Sequence, residues 1–303
     1  MLILAANAPD IDVIAALGGS LAYLDCHRHI THAAAAVPLV ALLPVAIAYA
    51  IYRRQLDLRG AYLASLAGVT SHFLLDLTNI YGVRLALPFS SAWYRLDALN
   101  VVDFWIWALL LFSVAAPALA RLVGSEIGVR ERRKYPGRLL PLATLALMGA
   151  YIFGRGVLHA RAVNVLESRI YDGVAPRRTA AFPGPFQPFR WRGLVETDDF
   201  YALYDLNLSG PFDPGAGRVL YKAQSSPAIE AARATPEFRR YLAFAQFPFW
   251  RVLPAGDPAE GVRVECMDLR FADPPRVRFA ARAILDRNGR VERAWFEFGA
   301  GAR

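Results

Sequence analysis

Residues 27–52 read HRHITHAAAAVPLVALLPVAIAYAIY. From Ala33 to Tyr52 the stretch is almost wholly apolar. Its length is near the roughly 20 residues a helix needs to cross the hydrocarbon core of a bilayer. Pro38 and Pro44 are expected to kink it. Gly60 to Leu77, Val102 to Val123 and Leu139 to Val157 share that length and composition. Residues 2 to 22 are also apolar, but Pro9, Asp10 and Asp12 interrupt them, as in a re-entrant or half-span segment. The expected fold class is therefore an α-helical transmembrane bundle of about four spans plus an N-terminal half-span.

Composition agrees. The chain has 303 residues, 55% of them hydrophobic, and a mean hydropathy of +0.28, more apolar than an ordinary soluble domain. The formal net charge of +8 and the pI near 9.7 do not make this a nucleic-acid binder, because much of the excess lies in short loops between apolar stretches. Arg53, Arg54 and Arg59 follow the first; Arg121, Arg130, Arg132, Arg133, Lys134 and Arg138 lie between the third and fourth. Positive loops stay cytoplasmic. Residues 23 to 32, the loop from Asn79 to Asn100, and everything beyond about residue 158 are then expected outside, in the periplasm of a bacterial inner membrane. Cys26 and Cys266 lie in different halves, so no disulfide framework is implied. Met1 leads into apolar residues without the basic start of a signal peptide.

The chain changes character near His159, giving two expected domains: 1–158 in the membrane and 159–303 outside it. In the second, alternating residues at 193–196, 218–221, 261–265, 276–285 and 290–298 read as strands. Asp286-Arg287-Asn288-Gly289 reads as a hairpin turn. Pro227 to Ala245 reads as a helix with Ser226 as its N-cap. Pro183, Pro185 and Pro188 mark a linker region. The expected class here is α+β and strand-rich.

The polar residues of the first domain are costly at membrane depth and invite a functional explanation. His72 and Asp76 are four apart on an expected helix and share a face. His72 lies thirteen residues past Arg59, about 20 Å along the helix, which puts both residues in the outer part of the membrane or at its outer surface. His27, His29 and His32 precede the first helix at that level, and Asp97 and Asp103 stand at the outer start of the third. Asp10 and Asp12 precede the same outer loop, and His159 lies at the outer end of the fourth helix. Histidine and carboxylate together are metal ligands, and a divalent ion so held acidifies water for hydrolysis. Carboxylates that do not ligate can act as base or orient imidazoles. Each residue also has a plainer reading. Asp97 could be solvated, Asp103 a helix N-terminal charge, His29 a surface group, Thr31 a cap, Cys26 a small thiol, and His72 with Asp76 a buried hydrogen-bonded pair. Arg28 is either an interfacial anchor or a phosphate ligand. The chain contains no HExxH motif, nucleophile elbow or Gly-rich phosphate loop.

Several spaced motifs carry a resemblance over about residues 5 to 110. They are Ala6-Asn7-Ala8-Pro9-Asp10-Ile11-Asp12, then His27-Arg28 with Thr31-His32, then Ser71-His72 with Asp76. Asn79-Ile80-Tyr81-Gly82-Val83-Arg84, Pro88-Phe89-Ser90, Asp97 and Asp103 follow in order. This pattern resembles the membrane-bound, metal-dependent hydrolases described as LexA-binding and inner-membrane-associated. That family in turn resembles the zinc-dependent phospholipase C and single-strand nuclease superfamily, in which a His-x-x-x-Asp pair binds zinc. The Asp268-Leu269-Arg270-Phe271 stretch resembles the tail of longer members. Carried over, the resemblance implies His72 and Asp76 as zinc ligands, with Asp10, Asp12, His27 and His32 joining them. Members often carry a further His-bearing segment before the Pro-Asp motif. Here the chain starts at Met1, which implies either a shortened start or one ligand fewer.

The resulting expectation is a membrane hydrolase of phosphoesters, with phospholipids among its candidate substrates. It uses a divalent metal, zinc first, held by His27, His32, His72, Asp76, Asp10 and Asp12. Asp10, Asp12, Arg28, Asp97 and Asp103 are the candidate catalytic groups, and lipid is the expected partner. A non-enzymatic membrane scaffold and a transporter using the polar cluster are the alternatives.

Overall fold

The computed structural model describes residues 1–126, 139–256, 261–275, 277 and 279–298. Helices make up the first half and two sheets dominate the second. The chain opens with α1 (Leu2–Asn7), a 3₁₀ helix (Pro9–Gly18) and α2 (Ser20–Cys26). Gly19, at φ +97°, lets the chain leave the 3₁₀ helix in a direction that would strain an L-residue. Ala5 and Ala8 bury their methyls against Ala41 and Val69. The approach is close: a Cβ at Gly68 would stand 2.7 Å from that of Ala5.

Two short helices, α3 (Val37–Val40) and α4 (Leu42–Tyr52), replace the kinked first span. Pro38 and Pro44 each lie in the first turn of one of them, where a missing N–H costs little. Next come α5 (Leu58–Thr78), capped by Asp57, then α6 (Phe104–Glu126) and α7 (Leu139–Glu167).

The expectation of four spans is not supported. Among the described residues, two stretches, Ala34–Tyr52 and Leu139–Glu167, are long and apolar enough to cross a membrane. α5 falls short because it carries Arg59, Thr70, Ser71, His72 and Asp76 among its apolar residues. Within α6, the apolar stretch found among the described residues is Phe104–Ala120, shorter than a full span. Leu39, Ile51, Leu145 and Phe153 expose more than half of their surface, as suits helices facing lipid. The basic residues Arg130, Arg132, Arg133, Lys134 and Arg138 lie outside the described residues.

α7 runs through residue 158, and its last turns belong to the second half. There β1 (Arg178–Pro183), β2 (Arg190–Glu196), β3 (Phe200–Asn207) and β4 (Arg218–Tyr221) form an antiparallel sheet in sequence order. After α8 (Pro227–Arg233) and α9 (Pro236–Phe244), a second antiparallel sheet follows. It holds β5 (Pro248–Pro254), β6 (Val262–Asp268), β7 (Phe279–Leu285) and β8 (Val291–Phe298).

The layers follow from alternation along the strands. Trp191, Ala202 and Leu206 pack on Ala162 and Leu166 of α7. The opposite face of that sheet sets Phe182, Leu194 and Leu203 against Phe249, Met267 and Ala280 of the second sheet. The far face of the second sheet, with Val264, Ala281 and Phe296, is covered by Ile229, Phe238 and Tyr241 of α8 and α9.

Sequence reasoning anticipated β2, β4, β6, β7, β8 and the hairpin at 286–289, where Gly289 N donates to Asp286 O at 3.0 Å. It missed β1, β3 and β5. β3 is buried on both faces over most of its length, so it lacks the alternation that marks a half-exposed strand. Of the expected linker, Pro183 ends β1, and Pro185 and Pro188 lie in the loop joining β1 to β2. The expected single helix from Pro227 is two, because Pro236 starts a new one. Thr235 caps it, its Oγ1 accepting from Phe238 N at 3.4 Å.

The two halves meet at α2 and the loop after α5. Ser20 Oγ donates to Phe296 O at 3.0 Å, and Leu24 joins the α8–α9 core. Arg270, 1% exposed, pairs with Asp268 at 2.8 Å and donates from Nη1 to the carbonyls of Ile80 and Tyr81, both at 3.2 Å.

Candidate metal centre

α5 places His72 and Asp76 one turn apart, with His72 Nε2 3.3 Å from Asp76 Oδ2. The 3₁₀ helix Pro9–Gly18 supplies Asp10 and Asp12. His32 ends a 3₁₀ turn (Ile30–His32) that the chain reaches by reversing at Arg28, whose φ is +57°. Asp12 holds this reversal: its Oδ2 accepts from Arg28 N at 2.9 Å and from Thr31 Oγ1 at 2.8 Å.

Four donor atoms converge. His32 Nε2 lies 3.2 Å from His72 Nε2, 3.5 Å from Asp10 Oδ1 and 3.3 Å from Asp76 Oδ2. His72 Nε2 lies 3.6 Å from Asp10 Oδ1. A tetrahedral zinc site with bonds of about 2.05 Å has edges of about 3.3 Å; Asp10, His32 and His72 form a group of potential ligands at such separations, with Asp76 Oδ2 beside the two imidazoles. Asp76 Oδ2 is buried and accepts no hydrogen bond among the described residues, which is how a carboxylate oxygen reserved for an ion would look. Asp10, Asp12 and His27 form a second, adjoining group of potential ligands.

Around these atoms lie groups that fix them. Asp12 Oδ2 is 3.2 Å from His32 Nδ1, and Asp12 Oδ1 is 3.0 Å from His27 Nδ1. This is the carboxylate–imidazole arrangement that orients a ligating ring. Arg28 Nη2 donates to Asp76 Oδ1 at 2.8 Å, and its Nη1 donates to Asn79 Oδ1 at 3.0 Å. The same Asn79 oxygen accepts from Tyr81 N at 2.9 Å. Burial opposes charge on His32, but the carboxylates of Asp10, Asp12 and Asp76 around it outweigh it and push the imidazole up to about 10. Burial likewise works against an ionised Asp12, yet the His27, His32 and Thr31 hydrogen bonds hold its carboxyl well below the usual range. Three carboxylates around one imidazole thus favour a cation at this point, either a proton or a metal.

Of the residues named from sequence, the structure brings Asp10, His32, His72 and Asp76 to one point, with Asp12 and His27 beside it. Arg28 is buried, and its Nη1 and Nη2 are engaged by Asn79 and Asp76. Asp97 and Asp103 are engaged elsewhere. Asp103 Oδ1 accepts from Trp105 N at 3.1 Å and Ile106 N at 3.3 Å, capping α6, and from Tyr151 OH at 3.2 Å. Asp97 pairs with Arg95; its burial raises the carboxyl to about 6 although Arg95 pulls the other way. His29 Nε2 lies 2.6 Å from Arg84 Nη1, and the His159 ring packs 5.7 Å from Trp191. Cys26 is exposed and stands in neither ligand group.

Sequence reasoning assigned no role to Asn79 or Tyr81. Tyr81 lies between the two halves, its ring 5.7 Å from His27 and 4.9 Å from Phe244. Their motif was visible, but only the fold shows what it touches.

Residues 1–162, which hold the whole cluster, match the family described as YdjM inner membrane protein. The chain belongs to the YdjM family. It is therefore an inner membrane protein by family, in keeping with its apolar helices. Residues 227–298, which include α8, α9 and the second sheet, match the family described as the YfhP C-terminal alpha/beta plait domain. The chain is 27% identical to the uncharacterized protein YfhP of Bacillus subtilis (strain 168) over 277 residues, 91% of this chain and 77% of that relative. No solved structure matches. None of these matches is to a phospholipase C, so that part of the resemblance gains no support.

Proposed function

We propose that this YdjM-family protein is a membrane metal-dependent hydrolase whose substrates are phosphoesters, phospholipids among them. One observation carries the reading: Asp10 Oδ1, His32 Nε2 and His72 Nε2 lie 3.2 to 3.6 Å from one another, and Asp76 Oδ2, buried and without a hydrogen bond, lies 3.3 Å from both imidazole nitrogens. These four residues would hold the ion, zinc being the best match to two imidazoles and two carboxylates. The ion would supply Lewis acidity and acidify water. Asp12 fixes the His32 ring through Nδ1, and Arg28 fixes Asp76 through Oδ1. The second group, Asp10, Asp12 and His27, offers a place for a further ion or for a base. The basic residues Arg53 and Arg59 favour a cytoplasmic end for the Ala34–Tyr52 stretch, so the cluster at its other end would face the periplasm.

The test is metal content. The full chain, purified in detergent, should carry zinc or another divalent ion in stoichiometric amount, and His72→Ala with Asp76→Asn should lose it. A wild-type protein free of metal after purification with zinc present would overturn the reading. A phosphodiester and phospholipid screen of the loaded protein follows.

A further inference from the structure

Away from the His–Asp cluster, the C-terminal half contains a cleft of about 1030 Å³. It opens where the ends of the first sheet face the Arg270–Asp273 turn, and its lining mixes arginines with aromatic rings. Most of these arginines are committed. Arg218 pairs with Asp273. Arg270 is held by Asp268 and backbone carbonyls. Arg190 lies 3.6 Å from Asp205.

Arg192 differs. Its Nη2 donates to the carbonyls of Leu269, at 3.0 Å, and Arg270. Its Nε and Nη1 have no partner, and no carboxylate pairs with it, among the described residues. Asp205 stands opposite it in the β2–β3 register, yet turns to Arg190. Phe182 flanks the guanidinium at 5.3 Å. A half-buried cation fixed on one edge and open on the other is a fork suited to two oxygens of one anion.

The cleft also adjoins an apolar surface. Gly184 and Pro185 on its rim lead into Phe186, whose carbonyl accepts from Trp105 Nε1 at 3.0 Å and whose ring lies 5.7 Å from Phe104. Phe104, Trp105 and Phe186 are all exposed and stand at the start of α6. Aromatic residues gather where a membrane protein meets the lipid–water interface. A cationic fork next to such a patch matches a molecule with a phosphate head and apolar chains.

We propose that this cleft binds the phosphate headgroup of an anionic phospholipid, with Arg192 as the anchoring side chain and Arg190 and Arg218 on the rim. The site needs the inner-membrane placement given by the family and does not depend on the metal reading.

The experiment measures binding of the full chain in detergent to short-chain phosphatidylglycerol, short-chain phosphatidylcholine and inorganic phosphate. Wild type should prefer phosphatidylglycerol over the other two. Arg192→Gln should weaken that binding about tenfold, the effect of losing a charge-assisted pair. Arg239→Gln removes a charge from the exposed face of α9 and should leave binding unchanged. Arg192→Lys keeps the charge and a donor for the carbonyls but loses the fork, so it should fold and bind at an intermediate level. Equal weakening by Arg192→Gln and Arg239→Gln would reduce the effect to general charge attraction and overturn the proposal. So would Arg192-dependent binding of inorganic phosphate that matches or exceeds that of the lipid. Unchanged lipid binding in Arg192→Lys would refute the role given to the fork.

Discussion

Arg28 donates to Asp76 Oδ1 at 2.8 Å and leaves Asp76 Oδ2 facing His32 and His72, 3.3 Å from each Nε2. Both residues are buried, so the guanidinium aims the carboxylate. Replacing Arg28 by Met should lower zinc affinity about 10- to 100-fold, the usual effect of losing a partner behind a ligand. Arg28→Lys should recover part of it, since one donor suffices to reach Oδ1. Competition with a zinc chelator measures both, and an unchanged affinity in Arg28→Met would remove this residue from the site.

Tyr81 is buried at the junction of the halves, and its hydroxyl has no hydrogen-bond partner among the described residues. Burying an unsatisfied hydroxyl costs about 1–3 kcal/mol. Tyr81→Phe keeps the ring contacts with His27 and Phe244 and should raise the melting temperature. A lower melting temperature would show that the hydroxyl has a partner in solution.

The Asp97 carboxyl is raised to about 6 by burial, against the pull of Arg95. The unfolded chain releases this proton near pH 3.9, so the folded state binds it more tightly. This group's cost to stability is absent below the unfolded value, grows as pH rises between the two, and is complete above about 6. Going from about pH 7 to about pH 5 should therefore raise the melting temperature of wild type relative to Asp97→Asn. A difference between the two proteins that does not change with pH would refute the assignment.

Cys26 is exposed beside His27, while Cys266 is fully buried. A membrane-impermeant maleimide applied to intact spheroplasts should label wild type but not Cys26→Ser, if the cluster faces the periplasm. Labelling that appears only after the membrane is opened would reverse the orientation.

Local chemistry made parts of the molecule legible in advance. The apolar run after His32, the i, i+4 pair His72–Asp76, the Asp286–Gly289 turn and the half-exposed strands all announce themselves by short-range pattern. The break at Pro236 was misread because the apolar spacing continues across it. β3 was missed because burial on both faces erases its alternation. The four-span count failed for a related reason: α5 combines helix length with the polar residues of the cluster, so length alone overstated its apolarity.

The sequence by itself determined the apolar helices, the strand-rich second half and the set of His and Asp residues available as ligands, because composition, periodicity and residue type are local properties. Tertiary structure decided which of them meet. It brings Asp10 and His32 to His72 of the α5 pair across 62 and 40 positions of chain, gives Asp103 to a helix cap and Asp97 to Arg95, and sets Arg28 behind Asp76. It also sets Arg270 of the second half on the turn behind the cluster. Those outcomes depend on how α1, α5 and the left-handed reversal at Arg28 pack together, and no pattern within one segment specifies a contact between segments.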